Sequence, residues 1–316
     1  MTRSADAESP AAIEAGFHLK HKAGLVDFID RHFKWFTLGP AALLLLFLTA
    51  YPLIDLFAMS VHTISFSQAK EIWTFTPLAN LRDLFSDDIF AIALWNTLVF
   101  AVISVSVEMV LGLALAILVA SVTAGKGLIR TILIVPILMP PVAIGSMWKL
   151  MFNLDFGVIN QALMVVGLQP VDWLGSLSVA LFSIIIVDIW HWTPFVFLIL
   201  FAAAEGLPKE VIEAARIDGA RNRDLVFKII VPLMKPAIAV ALLFRVILAF
   251  KVFDEVFLLT SGGPGTSTEV VSLHLYKVFF EENQIGYGAL LSLAIIAATI
   301  AFLWVGQRAA TAVGRR

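Results

Sequence analysis

The sequence predicts an all-α integral membrane protein with six transmembrane helices and both termini in the cytoplasm, and three observations carry that reading. Of its 316 residues 60% are hydrophobic, and the mean hydropathy is +0.92, well above the roughly 45–50% apolar content of soluble domains. Six stretches, about 38–60, 89–120, 128–150, 179–205, 231–260 and 286–307, reach the ~20 mostly apolar residues that a hydrocarbon layer requires. In the tails, the connecting segments and the ends of these stretches, sixteen lysines and arginines are assigned to the side of the N-terminus, and only Lys70, Arg82 and Lys277 to the other. Cytoplasmic segments carry the excess of Lys and Arg, which sets the orientation.

Taken in order, residues 1–36 form a cytoplasmic tail. Its opening, MTRSADAESPAAIEAG, is polar and expected to be disordered; it lacks the apolar run of a cleavable signal. From Lys22 to Phe36 the apolar residues Leu25, Val26, Ile29, Phe33 and Phe36 recur at helical spacing, with Asp27, Asp30, Arg31 and Lys34 between them. That is the pattern of an amphipathic helix lying on the inner surface. Residues 37–310 hold the six spans, and 311–316 a short cytoplasmic tail.

The second and fifth stretches are long enough to tilt or to extend beyond the hydrocarbon. Asn96 and Glu108 in the second read as interhelical hydrogen-bonding groups. Pro136, Pro140 and Pro141 break the third, and Gly112, Gly145 and Ser146 permit close helix approach. These positions are candidate hinges.

The loop of residues 206–231 is charged and lies between two apolar spans. Pro208 suits a first helical turn, while Val211, Ile212, Ala215 and Ile217 supply an apolar face. Gly219 then ends the helix, as glycine does where a left-handed residue is needed. A second short helix runs from Asp224 to Ile230, and Pro232 opens the fifth span. A water-exposed pair of short helices joined by a turn is shaped to be gripped by a soluble partner.

Several chemistries are excluded. No cysteine is present, so neither a disulfide framework nor a thiolate metal site exists. Phosphate cradling by a GxxxxGK[ST] loop is also absent. Its nearest counterpart, Ala124-Gly125-Lys126-Gly127, lacks the first glycine and the hydroxyl. With no HExxH pattern either, no catalytic residue, metal site or bound cofactor is expected, and the chain is not read as an enzyme.

Glu213, Ala214, Ala215, three residues, Gly219, nine residues, Ile229, one residue and then Val231-Pro232 resemble the signature loop of binding-protein-dependent ABC importer permeases. The family's leucine is replaced by Val231. WHWTPFVFLIL before the loop and LLTSGGPGTST at 258–268 extend the resemblance to the carbohydrate-uptake branch, specifically to the maltose-type first permease of a heterodimeric pair. The resemblance implies the type I importer fold and an ATP-driven import of a sugar or sugar derivative. It also implies a second permease subunit, two copies of a cytoplasmic ATPase that hold ATP and Mg, and an extracytoplasmic solute-binding protein. The location implied is the bacterial inner membrane, and no nucleic acid is involved. Glu213, Ala214, Ala215, Asp218 and Gly219 would couple to the ATPase.

Solute-binding candidates follow from the same resemblance. Asp188, His191, Trp192 and Phe195 share one face of the fourth span at i, i+3, i+4 and i+7, and Arg245, Leu248, Ala249 and Val252 repeat the spacing in the fifth. Both sets match sugar-contacting positions of the maltose-type permease, and nearly every one departs from it in residue type. The aromatics offer surfaces for sugar rings, and Asp188 and His191 offer hydrogen bonds. Pro194 frees a nearby backbone carbonyl. An arginine in mid-span costs about 2.5–3.5 kcal/mol on insertion scales, so Arg245 needs a partner. One expectation is a salt bridge to Asp188, or to Asp254 or Glu255. The other is a guanidinium fork for an anionic solute such as a sulfonated sugar or glycerol phosphate. Buried Asp188, Glu108 and Arg245 also fit an alternative class, a proton-coupled secondary transporter.

Overall fold

The computed structural model describes residues 10–67 and 70–313, and the chain divides into two compact units at Ala58. The expected extreme tails, residues 1–9 and 314–316, and, in the amphipathic stretch, the side chains before residue 32 and those of Lys34 and Phe36 lie outside the described residues. Helix α1 spans Pro10–Ser60, so residues 10–16, expected to be disordered, are helical. Pro10 at its start suits a first turn, where the missing N–H costs nothing.

Beyond α1 comes a departure from the all-α expectation. Strands β1, His62–Ser67, and β2, Lys70–Phe75, pair antiparallel with His62 opposite Phe75 and Ser67 opposite Lys70. Thr63, Ile64 and Phe66 face Thr74, Trp73 and Glu71, and such β-branched and aromatic residues favour a pleated strand. The hairpin is the correction to the fold class; the described residues are otherwise predominantly helical.

Helix α2, Pro77–Ser86, leads into α3, Asp88–Ser121. At 1.5 Å per residue the 34 residues of α3 run to about 51 Å, well beyond a hydrocarbon core of about 30 Å. The third apolar stretch is broken. Helix α4, Lys126–Ile134, passes through a tighter turn at Val135–Leu138 into α5, Pro141–Met151, and the two arms meet at 92°. Met139, which precedes Pro140, is extended with ψ 138°, because a proline ring disfavours helical geometry in the residue before it. Short α6, Val158–Val165, then leads to α7, Ala180–Glu205.

The charged loop folds as expected. Helix α8 covers Lys209–Ile217, and Gly219 follows at φ +84°, the left-handed geometry glycine adopts without cost. Helix α9, Asn222–Asp224, continues through a π-helical segment, Leu225–Ile230, into α10, Val231–Leu233. Helix α11, Lys235–Phe250, leaves at 67° to that run. Pro232 therefore sits on the loop side of a bend rather than opening a straight span. The fifth stretch also stops at Phe250, short of residue 260, and α12, Asp254–Leu259, starts afresh. Lys251, Asp254 and Glu255 interrupt the apolar run there, and the two acids favour a helix N-terminus. Helices α13, Val271–Tyr276, and α14, Ile285–Val313, complete the chain.

Among the described residues four helices are long and apolar enough to cross a membrane, and up to six if each bent pair counts as one span. Helices α3 and α7 pack most intimately. A Cβ on Gly112 would lie 2.6 Å from Val196 Cγ1, and one on Gly145 would lie 2.6 Å from Leu258 Cβ, so both glycines permit the close approach expected of them. Ser146 is exposed. Phe100, Ile144, Ile184, Phe250 and Leu273 form the main core.

Polar ties hold one end of the bundle together. Asn96 Nδ2 donates to the carbonyls of Thr266 and Glu269 at 3.1 and 2.9 Å, and Thr97 Oγ1 accepts from the Val271 N–H at 3.1 Å. Asp87 caps α3 by accepting from the Phe90 N–H at 2.9 Å. Its other oxygen accepts from His274 Nε2 at 2.8 Å and from the Tyr287 hydroxyl at 2.5 Å. Burial opposes the charge of Asp87, yet these donors outweigh it and hold the carboxyl below its ordinary value.

Because the folded-state value is depressed, the stabilisation is complete above about pH 4, the ordinary carboxylate range. It is lost as pH falls through the lower folded value. Asp87→Asn should lower the stability of the detergent-solubilised chain by about 2 kcal/mol near neutral pH, since it removes a charged cap and two charge-assisted bonds. The difference from wild type should shrink in thermal unfolding below about pH 4.

Candidate functional site

Three charged side chains from three helices meet inside the bundle. Arg245 of α11 donates from Nε and Nη2 to the two carboxylate oxygens of Glu108 on α3, the Nη2–Oε1 distance being 2.7 Å. The same Nη2 also donates to Asp188 Oδ2 on α7. Their side chains are 1%, 0% and 2% exposed, so the cluster is screened by little solvent. Two carboxylates thus share one guanidinium.

This geometry answers the question posed by an arginine in mid-span. Arg245 pairs with Asp188, one of its expected partners, and also with Glu108, which the sequence placed among packing groups. Its pairing does not extend to Asp254, which is exposed, or to Glu255, which is bound to His191 Nδ1 at 2.9 Å. Of the guanidinium nitrogens, Nε and Nη2 are engaged by these carboxylates. A single apolar run hides which helix faces which. The signal that was available is that ionisable residues within spans are costly and require partners.

The predicted solute face divides into two parts. Asp188, His191, Arg245, Ala249 and Val252 are buried, with Ala249 and Val252 inside the main core. Trp192, Phe195 and Leu248 are half-buried. Trp192 and Phe195 meet edge to face at 5.9 Å, and Phe195 meets Phe244 in the same way at 6.5 Å. The Arg245 guanidinium carbon lies 5.2 Å from the centre of the Trp192 ring, a cation–π distance. The accessible part is thus an aromatic strip seated on a buried ionic cluster. Phe244 extends it, a residue that the spacing argument did not select.

LLTSGGPGTST runs from the end of α12 into a compact loop. Thr268 Oγ1 donates to the Gly263 carbonyl at 2.8 Å and lies 2.7 Å from Thr260 Oγ1. Gly262 has φ +91°, and the Glu269 carboxylate presses where its side chain would be, with Lys277 Nζ 2.7 Å from Glu269 Oε2.

The predicted coupling residues lie apart from the cluster. Glu213, Ala214, Asp218 and Gly219 are exposed and Ala215 is half-buried. Only Ile212 and Ala215 of the expected apolar face turn inward. Val211 is 43% and Ile217 87% exposed. Among the described residues no group of three or more His, Cys, Asp or Glu side chains is arranged to hold a metal ion.

The chain has relatives of known character in sequence and a match in fold. The chain is 35% identical over 261 residues to the trehalose/maltose transport system permease protein MalF of Thermococcus litoralis, covering 81% of this chain and 87% of that one. It is 32% identical over 272 residues to the sulfoquinovosyl glycerol transport system permease protein SmoG of Agrobacterium fabrum, covering 86% and 88%. Its fold matches a chain of a bacterial ABC transporter involved in the import of the acidic polysaccharide alginate, with a TM-score of 0.76 at 21% identity over 92% of this chain and 99% of that one. Residues 108–316 match the family described as binding-protein-dependent transport system inner membrane component. With that match and these sugar-permease relatives, the chain belongs to the family of binding-protein-dependent ABC importer permeases.

Proposed function

We propose that this chain is one of the two permease subunits of an ATP-driven importer of a sugar or sugar derivative, in the inner membrane of a bacterium. The observation that carries the reading is the exposed helix α8, ended by Gly219 and set between two apolar helices in the region of the family match. The permease relatives that handle trehalose, maltose and sulfoquinovosyl glycerol support the solute class. Family membership leaves the proton-coupled alternative without support.

In this reading each bent helix pair is one span, giving six, and both termini are cytoplasmic. Residues 1–36 and 311–316 are then tails flanking the permease domain. Lys149 and Lys251, at the ends of α5 and α11, fall on the outer side. The positive excess remains sixteen to five. Two ATPase copies holding ATP and Mg bind the loop, and this chain supplies no cofactor site. ATP-driven closure of the ATPase pair moves α8 as a lever through Glu213, Ala214, Ala215, Asp218 and Gly219. The bends at Pro136–Pro141 and Met234 let the helices rearrange, so that a solute-binding protein on the outer side delivers into the cavity.

At the solute face, Trp192 and Phe195 stack against the sugar ring, with Leu248 beside them. Asp188, His191, Arg245, Ala249 and Val252 form the wall behind, where Arg245 positions Trp192 and the carboxylates orient Arg245. The aromatic strip suits the apolar face of a sugar ring, whether the sugar is neutral or carries an anionic group.

Glu213→Lys should leave the chain inserted in the membrane but reduce solute-stimulated ATP turnover and uptake by at least about tenfold, because a like charge replaces a complementary one at a docking surface. Unchanged uptake would overturn the coupling role. Trp192→Ala should raise the apparent KM for the sugar by about tenfold, from the loss of ring stacking, with little change in expression. Arg245→Met should cost about 3–5 kcal/mol of stability, because it strands two buried carboxylates. The triple variant Glu108→Gln, Asp188→Asn, Arg245→Met should recover most of that loss in thermal unfolding.

A further inference from the structure

A cavity of about 630 Å³ lies on the inner side of α8, away from the aromatic strip, and its lining is of mixed character. Ile117, Leu225 and Ile230 give it an apolar floor. Lys126, Lys209 and Arg216 bring three positive charges to its walls, and Asn222 adds an amide. Glu205 is the one acid that lines it, and that carboxylate is taken by Lys126 Nζ at 2.8 Å; the same ammonium also donates to the Ala120 carbonyl at 3.1 Å. Lys209 and Arg216 make no ion pair among the described residues. The lining therefore holds an excess of two positive charges, both on α8.

Position narrows the ligand. The walls are the end of α3, the turn into α4, the end of α7 and the charged loop, so the cavity joins the ends of three apolar helices to the segment read as the coupling lever. An arginine fork and a lysine ammonium together suit the oxygens of a phosphate group, while an apolar floor suits the carbon skeleton behind it. Cations at the edge of apolar helices meet such groups on the inner leaflet. A carboxylate would satisfy the charge, but it has fewer acceptor oxygens for two cations and an amide.

We infer that this cavity binds a phosphate ester or phosphate anion between Lys209 and Arg216, linking the coupling helix α8 to the turn between α3 and α4. The Lys126–Glu205 pair ties the α3–α4 turn to the end of α7 rather than to α8, so a group bound across the cavity adds a tie between that turn and α8 and stiffens the lever. Binding can be measured on the purified chain, so its outcome is independent of whether the chain imports sugar. The cytoplasmic placement of the loop matters only for the lipid source.

The test measures thermal unfolding of the full-length chain in two settings. One is detergent with inorganic phosphate against chloride at matched ionic strength. The other is nanodiscs of dioleoylphosphatidylglycerol against dioleoylphosphatidylcholine. A higher midpoint with the phosphatidylglycerol alone identifies a lipid headgroup, and a higher midpoint with inorganic phosphate identifies a free anion. The double substitution Lys209→Gln, Arg216→Gln should weaken either effect by about tenfold or more in apparent affinity. Both side chains are exposed, so its unliganded midpoint should match wild type. Arg221→Gln with Arg223→Gln removes two exposed cations of the same loop that do not line the cavity, and should preserve the effect. The inference is overturned if neither ligand raises the midpoint, if the rise survives the Lys209/Arg216 substitution, or if the Arg221/Arg223 control loses it equally.

Discussion

Arg245, with Glu108 and Asp188, is the constraint to which the rest of the bundle is fitted. A guanidinium cannot be left unpaired away from water, and one carboxylate on each of two neighbouring helices meets that demand. The pairing sets the rotation of α3, α7 and α11 about their axes at one level. Close packing then follows, because Gly112 allows α7 to approach α3 further along the same pair. In a hydrocarbon setting apolar side chains gain little by leaving lipid for one another. Polar pairing and tight contact therefore carry a larger share of the specificity than they would in a water-soluble core.

The same cluster shapes the surface above it. Arg245 sits beneath Trp192, whose ring continues through Phe195 to Phe244. The ionic group thus acts on the accessible face through an aromatic side chain rather than by direct contact. His191, held by Glu255 of α12, ties that face to the segment that follows the break at Lys251.

Two sharp backbone breaks interrupt the apolar stretches. The 92° bend between α4 and α5 and the 67° bend before α11 both fall at prolines, which remove a helical donor and restrict the residue before them. The charged loop lies between the end of α7 and the second bend. The run from α8 to α11, which carries Arg245, is short and contains a π-helical segment, a geometry that often marks functional positions in helices.

The sequence by itself determined the membrane class, the positions of the apolar stretches, and the two-part loop with its left-handed glycine. Those features depend on composition, periodicity and the conformational limits of single residues, all of which are local. The hairpin was locally legible too, in the strand-forming residues Thr63, Ile64, Phe66, Trp73 and Thr74, but it was masked by the length of the helices around it. Only the tertiary structure decided that Glu108 belongs with Arg245, that His191 belongs with Glu255, and that Ala249 and Val252 lie in the core while Trp192 and Phe195 remain accessible. Spacing places a residue on a helix face, but the partner of that face depends on how three or more helices are rotated against one another. That rotation is settled by the joint cost of every unpaired charge and every gap, a quantity no single segment contains.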